Sequence, residues 1–264
     1  MLIVGVGRAA EPQEVHFRSP IEKLGASRSA TDIAAIFESR GYDLRSVRES
    51  GTCPRLFLHD IPLDMDGVEP VQAKKGLFIA LLLPLVLKAN EVIAEQRETL
   101  LQLRERNAKG GKVTAAEQSW LQSMADLYAA EPEDLDELVA RVDIVPPSLA
   151  LAQGIDESGW GTSRFAREGE SLFGQHASAD AHAKIRATSA SAVGVAAFSG
   201  MPGSVQSYLH NLTTRSLHRI DPRWKQCCCR SGIRRGSIRH NLLLGFALRI
   251  LEYGVVMAGI GLFG

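Results

Sequence analysis

The longest regular pattern in the chain is a helical one over residues 71 to 107, and whatever fold forms must be built around it. Leu77, Leu81, Leu85, Ala89 and Val92 recur on one side at the spacing of an α-helix. Pro84 has no N–H to give to the preceding turn, so it is expected to kink this helix or split it in two. Asn107 to Val113 reads as a loop broken at Gly110-Gly111. Thr114-Ala-Ala-Glu117 has the threonine-to-glutamate spacing of a capping box and predicts a second helix to about Ala129. Pro132 to Val142 reads as a third, acidic at its start as the helix dipole favours. Upstream, Thr31 to Arg40 reads as a short helix capped by Thr31 and ended by Gly41, and Pro54 to Asp60 as an extended element. Downstream, Gly194 to Phe198 predicts a strand and Ser204 to Thr213 a last helix. No internal repeat is evident, which argues against a solenoid.

Chemistry concentrates in Glu157-Ser-Gly-Trp-Gly161. Pro146-Pro147-Ser148 is a helix-start signal, because proline suits the first turn, where its missing donor would be orphaned anyway. From about Ser148, Leu149, Ala152 and Ile155 follow at helical spacing among small residues, as in a helix buried on most sides. Gly159 and Gly161 then end it. Glu157 therefore falls in the last turn, where unpaired carbonyls disfavour an ionised carboxylate and Trp160 would desolvate it further. Both effects raise its pKa. A carboxylic acid that stays neutral near pH 7 can protonate a leaving oxygen, which glycosidic cleavage requires. On the local pattern alone, a glutamate at a helix end is more often a solvated surface group than a catalytic one.

The flanking residues extend the pattern. Leu149-Ala-Leu-Ala-Gln153, Glu157-Ser-Gly-Trp-Gly-Thr-Ser163, Arg164-Phe-Ala-Arg167, Ser171-Leu-Phe-Gly-Gln175 and Ser204-Val-Gln-Ser-Tyr-Leu-His-Asn-Leu212 resemble the glucosaminidase domain of bacterial peptidoglycan hydrolases, glycoside hydrolase family 73, in its Bax-type subgroup. Pro54-Arg-Leu-Phe-Leu58 and residues 75 to 91 resemble the segments that precede it, so the likeness covers roughly residues 50 to 214. It implies a mainly α, lysozyme-like α+β fold, with helices around residues 71 to 175 and a small β-lobe between 175 and 203. It also implies cleavage of the β-1,4 bond between N-acetylglucosamine and N-acetylmuramic acid, with Glu157 as general acid. The second catalytic group is sought in the β-lobe, where Asp180 is the only acid between Gln175 and Val195. Attack by the substrate's own acetamido group is the other route, and the sequence leaves both open. Trp160 is a candidate to stack on a sugar or to plug the core. Gln175 is a candidate to bind substrate or to cap its turn, and Tyr208 to reach the substrate or to pack. His176, His182 and His210 fit no zinc template, so no metal and no organic cofactor is expected. The alternative function is a catalytically impaired protein that still holds cell-wall glycan. A lytic transglycosylase shares the Glu-Ser-Gly type of motif, but the matches beyond Trp160 speak against it.

Composition divides the chain. With 264 residues, 45% of them hydrophobic and 23% charged, it can bury one good core plus an appendage. Formal net charge is zero, which gives no long-range attraction to nucleic acid. From Arg215 onward, however, nine Lys or Arg face two acids, and Cys227-Cys228-Cys229 are adjacent, a spacing of no use for ordinary disulfides or zinc. The resemblance is expected to stop near Thr214. Three regions follow from this: residues 1 to 70, partly irregular; 71 to 214, catalytic; and 215 to 264, a basic and apolar tail read as a frame-shifted or non-native replacement of the domain's last helices. Leu242 to Gly264 is long enough for a membrane span, and Arg249 and Glu252 argue against one. Met1 to Gly7 is too short for a signal peptide's apolar stretch. The substrate nevertheless implies action in the periplasm or cell envelope.

Overall fold

A computed structural model describes residues 16–17, 22–24, 29–177, 184–186 and 194–215. Asp180, His182, the three adjacent cysteines and the apolar tail all lie outside these residues. Helix α3, Val71–Ala108, forms the axis of the fold. Every side chain from Leu77 to Leu87 is buried, so three turns of α3 are enclosed on all sides rather than along the single expected face. Val92, assigned to that face, is 36% exposed. By length and composition α3 is apolar enough to cross a membrane, but 72% of its most apolar window is buried in protein, as in a core helix.

Pro84 does not split this helix. A proline here leaves the carbonyl of Ala80, four residues earlier, without its helical donor. The hydroxyl of buried Tyr42 supplies the bond instead, donating to the Ala80 carbonyl at 2.9 Å. The compensation comes from a residue far upstream, out of reach of any local reading of the helix.

Tyr42 belongs to an N-terminal layer packed on α3. Helix α1, Ala30–Ser39, starts two residues before the expected position. Ser29 is its cap: the Ser29 hydroxyl accepts from Asp32 N, and the Asp32 carboxylate accepts from Ser29 N. Helix α2, Leu44–Ser50, is capped by Asp43 and ends at Gly51 with φ 66°. Two short parallel pairings follow: β1, His16–Phe17, with β3, Thr52–Cys53, and β2, Glu22–Leu24, with β4, Leu56–Leu58. Strand β4, in the segment expected to be extended, contacts α3.

On the other side of α3, helix α4, Ala115–Tyr128, carries the predicted Thr114–Glu117 capping box. Helix α5, Leu135–Arg141, is shorter than expected because Asp134 caps it, accepting from Glu137 N at 2.8 Å. Asn90 of α3 fixes the chain just before the next helix. Buried, it donates to the Val145 carbonyl at 2.7 Å and accepts from Val145 N at 3.0 Å. Helices α6, Pro147–Ser158, α7, Arg164–Gly169, and α8, Met201–Arg215, complete the helical set. Between α7 and α8 lies the small β-lobe, with β5, Lys184–Arg186, antiparallel to β6, Gly194–Ala196. The other edge of β6 is held by residues 175 to 177 through Ala196 N to Gln175 O and Ala177 N to Gly194 O, both at 2.8 Å. Buried apolar side chains from Ala30 to Leu209 form one cluster. The class is mainly α with a small β-lobe, as expected of a lysozyme-like α+β domain.

Candidate active site

The site is built where α6 ends. Pro146 and Pro147 open that helix, and its inner face, Ala150, Leu151 and Gly154, is buried against α3. At Gly154 a Cβ would lie 2.7 Å from the Leu82 side chain and 3.3 Å from the Phe173 ring. A side chain at this position would require Leu82 to shift. Three successive left-handed residues then turn the chain: Gly159 at φ 56°, Trp160 at 61° and Gly161 at 78°. Buried Ser158 ties the turn, donating to the Gly154 carbonyl at 2.5 Å and accepting from Gly161 N at 2.9 Å. For Trp160 the left-handed conformation costs about 1 kcal/mol or more.

Glu157 projects from the last turn of α6, as the motif predicts, and is accessible to solvent along part of its length. Its carboxyl is crowded by the turn at Gly174, where φ is 56° and a Cβ would stand 2.6 Å from Glu157 Oε2. Desolvation pushes the carboxyl's pKa up, the neighbouring Asp156 charge adds to this, and His176 opposes both. The result is a carboxyl biased toward its neutral form at the surface of the protein.

The remaining candidates separate. Tyr208 on α8 is buried, its ring stacked on Phe173 at 4.0 Å and 5°. Its hydroxyl donates to Gln153 Oε1 at 2.5 Å. Burial, and after it the Glu157 charge, hold this phenol well above its ordinary pKa. Gln153 and Glu157 are four apart on one helical face, so Tyr208 supports the face that carries the acid. Trp160 is half-buried, edge-on to Phe78 at 6.2 Å, with Lys75 Nζ 5.1 Å from the ring centre. The Gln175 side-chain amide is buried at both its nitrogen and its oxygen and has no hydrogen-bond partner among the described residues. It does not cap its turn. Asp180 lies outside the described residues.

Three participants were missed from sequence. In the sequence His176 stands out only as a metal-ligand candidate, and Gln153 is marked only by its four-residue spacing from Glu157. Glu170, which follows α7 at φ 52°, has a carboxyl pushed up to about 7 by burial, its largest cause, and by Asp60. Nothing in the sequence marks it out from other acids. An apolar groove of about 700 Å³ lies between α3, α4 and α8, lined by Leu85, Ile93, Leu127, Phe198 and Leu209 among others, with His210 in its wall but none of Glu157, Trp160, Gln175 or Tyr208.

The helical domain with its β-lobe thus presents one partly desolvated carboxyl, Glu157, at a glycine turn. Comparison with known proteins narrows the class. Residues 133–233 match the glucosaminidase family model, described as mannosyl-glycoprotein endo-beta-N-acetylglucosaminidase. The match runs past Thr214. The Bax protein of Escherichia coli K12 is 30% identical over 153 residues, which are 55% of this chain and 53% of that protein. The chain is thus similar to glucosaminidase-family proteins, the Bax protein among them. It spans about half the length of that curated relative. A chain in the structure of a type VI secretion system effector-immunity complex from Pseudomonas protegens is 26% identical, over 52% of this chain and 85% of that one, with a TM-score of 0.24. That score establishes no common fold.

Proposed function

We propose that this protein hydrolyses the β-1,4 bond between N-acetylglucosamine and N-acetylmuramic acid in peptidoglycan, with Glu157 as the general acid. The observation that supports this is the Glu157 carboxyl, biased toward its neutral form where Gly174 crowds it. In that form it delivers a proton to the glycosidic oxygen as the bond from the anomeric carbon breaks. The leaving sugar departs as an alcohol, and water supplies the hydroxyl that remains on the anomeric carbon.

Gln175 suits the N-acetyl group. Its amide offers one donor and one acceptor side by side, both desolvated and both without a partner among the described residues. An acetamido group presents the complementary pair, and leaving Gln175 unpaired costs about 1–3 kcal/mol. Trp160 offers a ring face to a sugar, and Tyr208 acts behind the site by holding Gln153. The second catalytic role falls to Asp180, as nucleophile or as the base that activates water, or to the substrate's acetamido oxygen. The substrate assigns the protein to the periplasm or cell envelope.

The test is digestion of purified peptidoglycan by wild type and by Glu157→Gln, with the new reducing ends identified by mass spectrometry after borohydride reduction. Reduced N-acetylglucosamine ends are expected from wild type, and about 10²–10⁴-fold fewer from the variant, the usual contribution of general acid catalysis. Equal release by both would place the acid elsewhere. No release by a folded wild type would leave a glycan-binding protein.

A further inference from the structure

Glu170 is a half-buried carboxyl that the proposed reaction does not use. From the left-handed position after α7 its side chain reaches the loop that follows β4, and both of its oxygens accept from Ile61 N, each at 3.1 Å. Ile61 is buried, and its side chain sits so close beneath Gly161 that a Cβ on that glycine would overlap it, with the Phe78 ring 3.1 Å from the same point. Gly161 is in turn bound to Ser158, the neighbour of Glu157. A short mechanical path thus runs from Glu170 through Ile61 and Gly161 to the turn that carries the acid.

The charges around Glu170 are few. On the loop it grips, Asp60 repels it, and His59 is bound to Asp60 at 2.5 Å. Further along that loop Asp66 engages Arg167 of α7 at 3.3 Å, and within α7 Arg164 pairs with Glu168 at 3.5 Å. Strand β5, which contacts α7, carries Lys184 and Arg186. Beside the turn, Lys75 is over Trp160. Among the described residues no cation pairs with Glu170. The same loop is also tied to the start of α8, since Met201 N donates to the His59 carbonyl at 2.7 Å, and Gly169 just before Glu170 accepts from Phe198 N at 2.8 Å.

We propose that Glu170 is a positioning residue for the Glu157 turn, a carboxyl latch closed on Ile61 while neutral and drawn toward water once ionised. Burial and Asp60 oppose the charge more strongly than the Ile61 hydrogen bond favours it, which lifts the folded pKa to about 7 from 4.5. A raised folded value means the latch contributes fully below the unfolded pKa. That contribution is lost as pH rises from about 4.5 through 7. Its effect on turnover rests on Glu157 being the acid, but the latch itself does not.

Two readouts separate the ideas. Amide hydrogen exchange at Ile61, followed by NMR and corrected for the intrinsic rate, should lose about tenfold in protection as wild type passes through neutrality. Glu170→Gln, which accepts the same hydrogen bond but does not ionise, should show no such loss. On peptidoglycan this variant should extend the alkaline side of the kcat profile and leave KM unchanged. The proposal is overturned if wild-type Ile61 exchange follows only the intrinsic rate, if Glu170→Gln behaves as wild type, or if Glu170→Gln and Glu170→Ala lower the rate equally at every pH. Where Glu170→Ala does not fold, Glu170→Gln decides alone. Absence of turnover in all forms counts against the hydrolase reading, and Ile61 exchange still reports the latch.

Discussion

Gly174 is the residue that lets Glu157 occupy its place. It has φ 56°, and a methyl group there would stand 2.6 Å from Glu157 Oε2. Gly174→Ala therefore carries two penalties. The left-handed backbone costs about 1 kcal/mol, which lowers stability modestly. The methyl also displaces the carboxyl, and misplacement of a reacting group by about 1 Å costs on the order of 10²-fold in rate. Turnover on peptidoglycan is expected to fall far more than calorimetric stability. A rate that falls only with the folded fraction would reduce Gly174 to a backbone requirement. The location of Glu157 was legible because it depends on its own helix and the two glycines after it. Its environment was not, because Gly174 and His176 arrive from beyond α7, and a contact across that interval leaves no periodic trace.

At the scale of elements, local devices were legible and remote ones were not. The Thr114–Glu117 box spans three residues and formed as read. Ser29 and Thr31 are both acceptable caps, and Asp32, three residues after Ser29, decides between them by returning the hydrogen bond. Pro84 was expected to break or bend α3 because the Tyr42 hydroxyl that relieves the Ala80 carbonyl lies 38 positions away in sequence. This pairing gives a double-mutant cycle. In wild type, Tyr42→Phe orphans a buried carbonyl and should cost about 1–3 kcal/mol by calorimetry. In a Pro84→Ala background the restored N–H serves Ala80, and the same substitution should cost at least about 1 kcal/mol less. Equal costs in both backgrounds would mean that the hydroxyl does nothing for the helix.

For the whole molecule, periodicity and turn residues indicated the helices, while the β-lobe was what the family resemblance implied. How much of the N-terminal region shares the core was hidden, because Ile33, Phe37, Val47, Leu56, Leu58, Ile61 and Met65 come from short elements with little periodicity of their own. All seven are buried in the cluster that also holds α3 and α8. Each such side chain contributes about 1.5–3 kcal/mol, so losing seven removes roughly as much as the 5–15 kcal/mol that stabilises a typical domain. Removal of residues 1–70 would also strip the Tyr42 donor from Ala80 and the Ile61 amide from Glu170. A chain beginning at Val71 is therefore expected to show no cooperative melt by calorimetry and no release of N-acetylglucosamine ends, even though it keeps Glu157, Gly174 and Gln175. A cooperative transition in that chain would show that the helical domain stands without its N-terminal layer. The layer would then be a cover on the fold rather than part of its core.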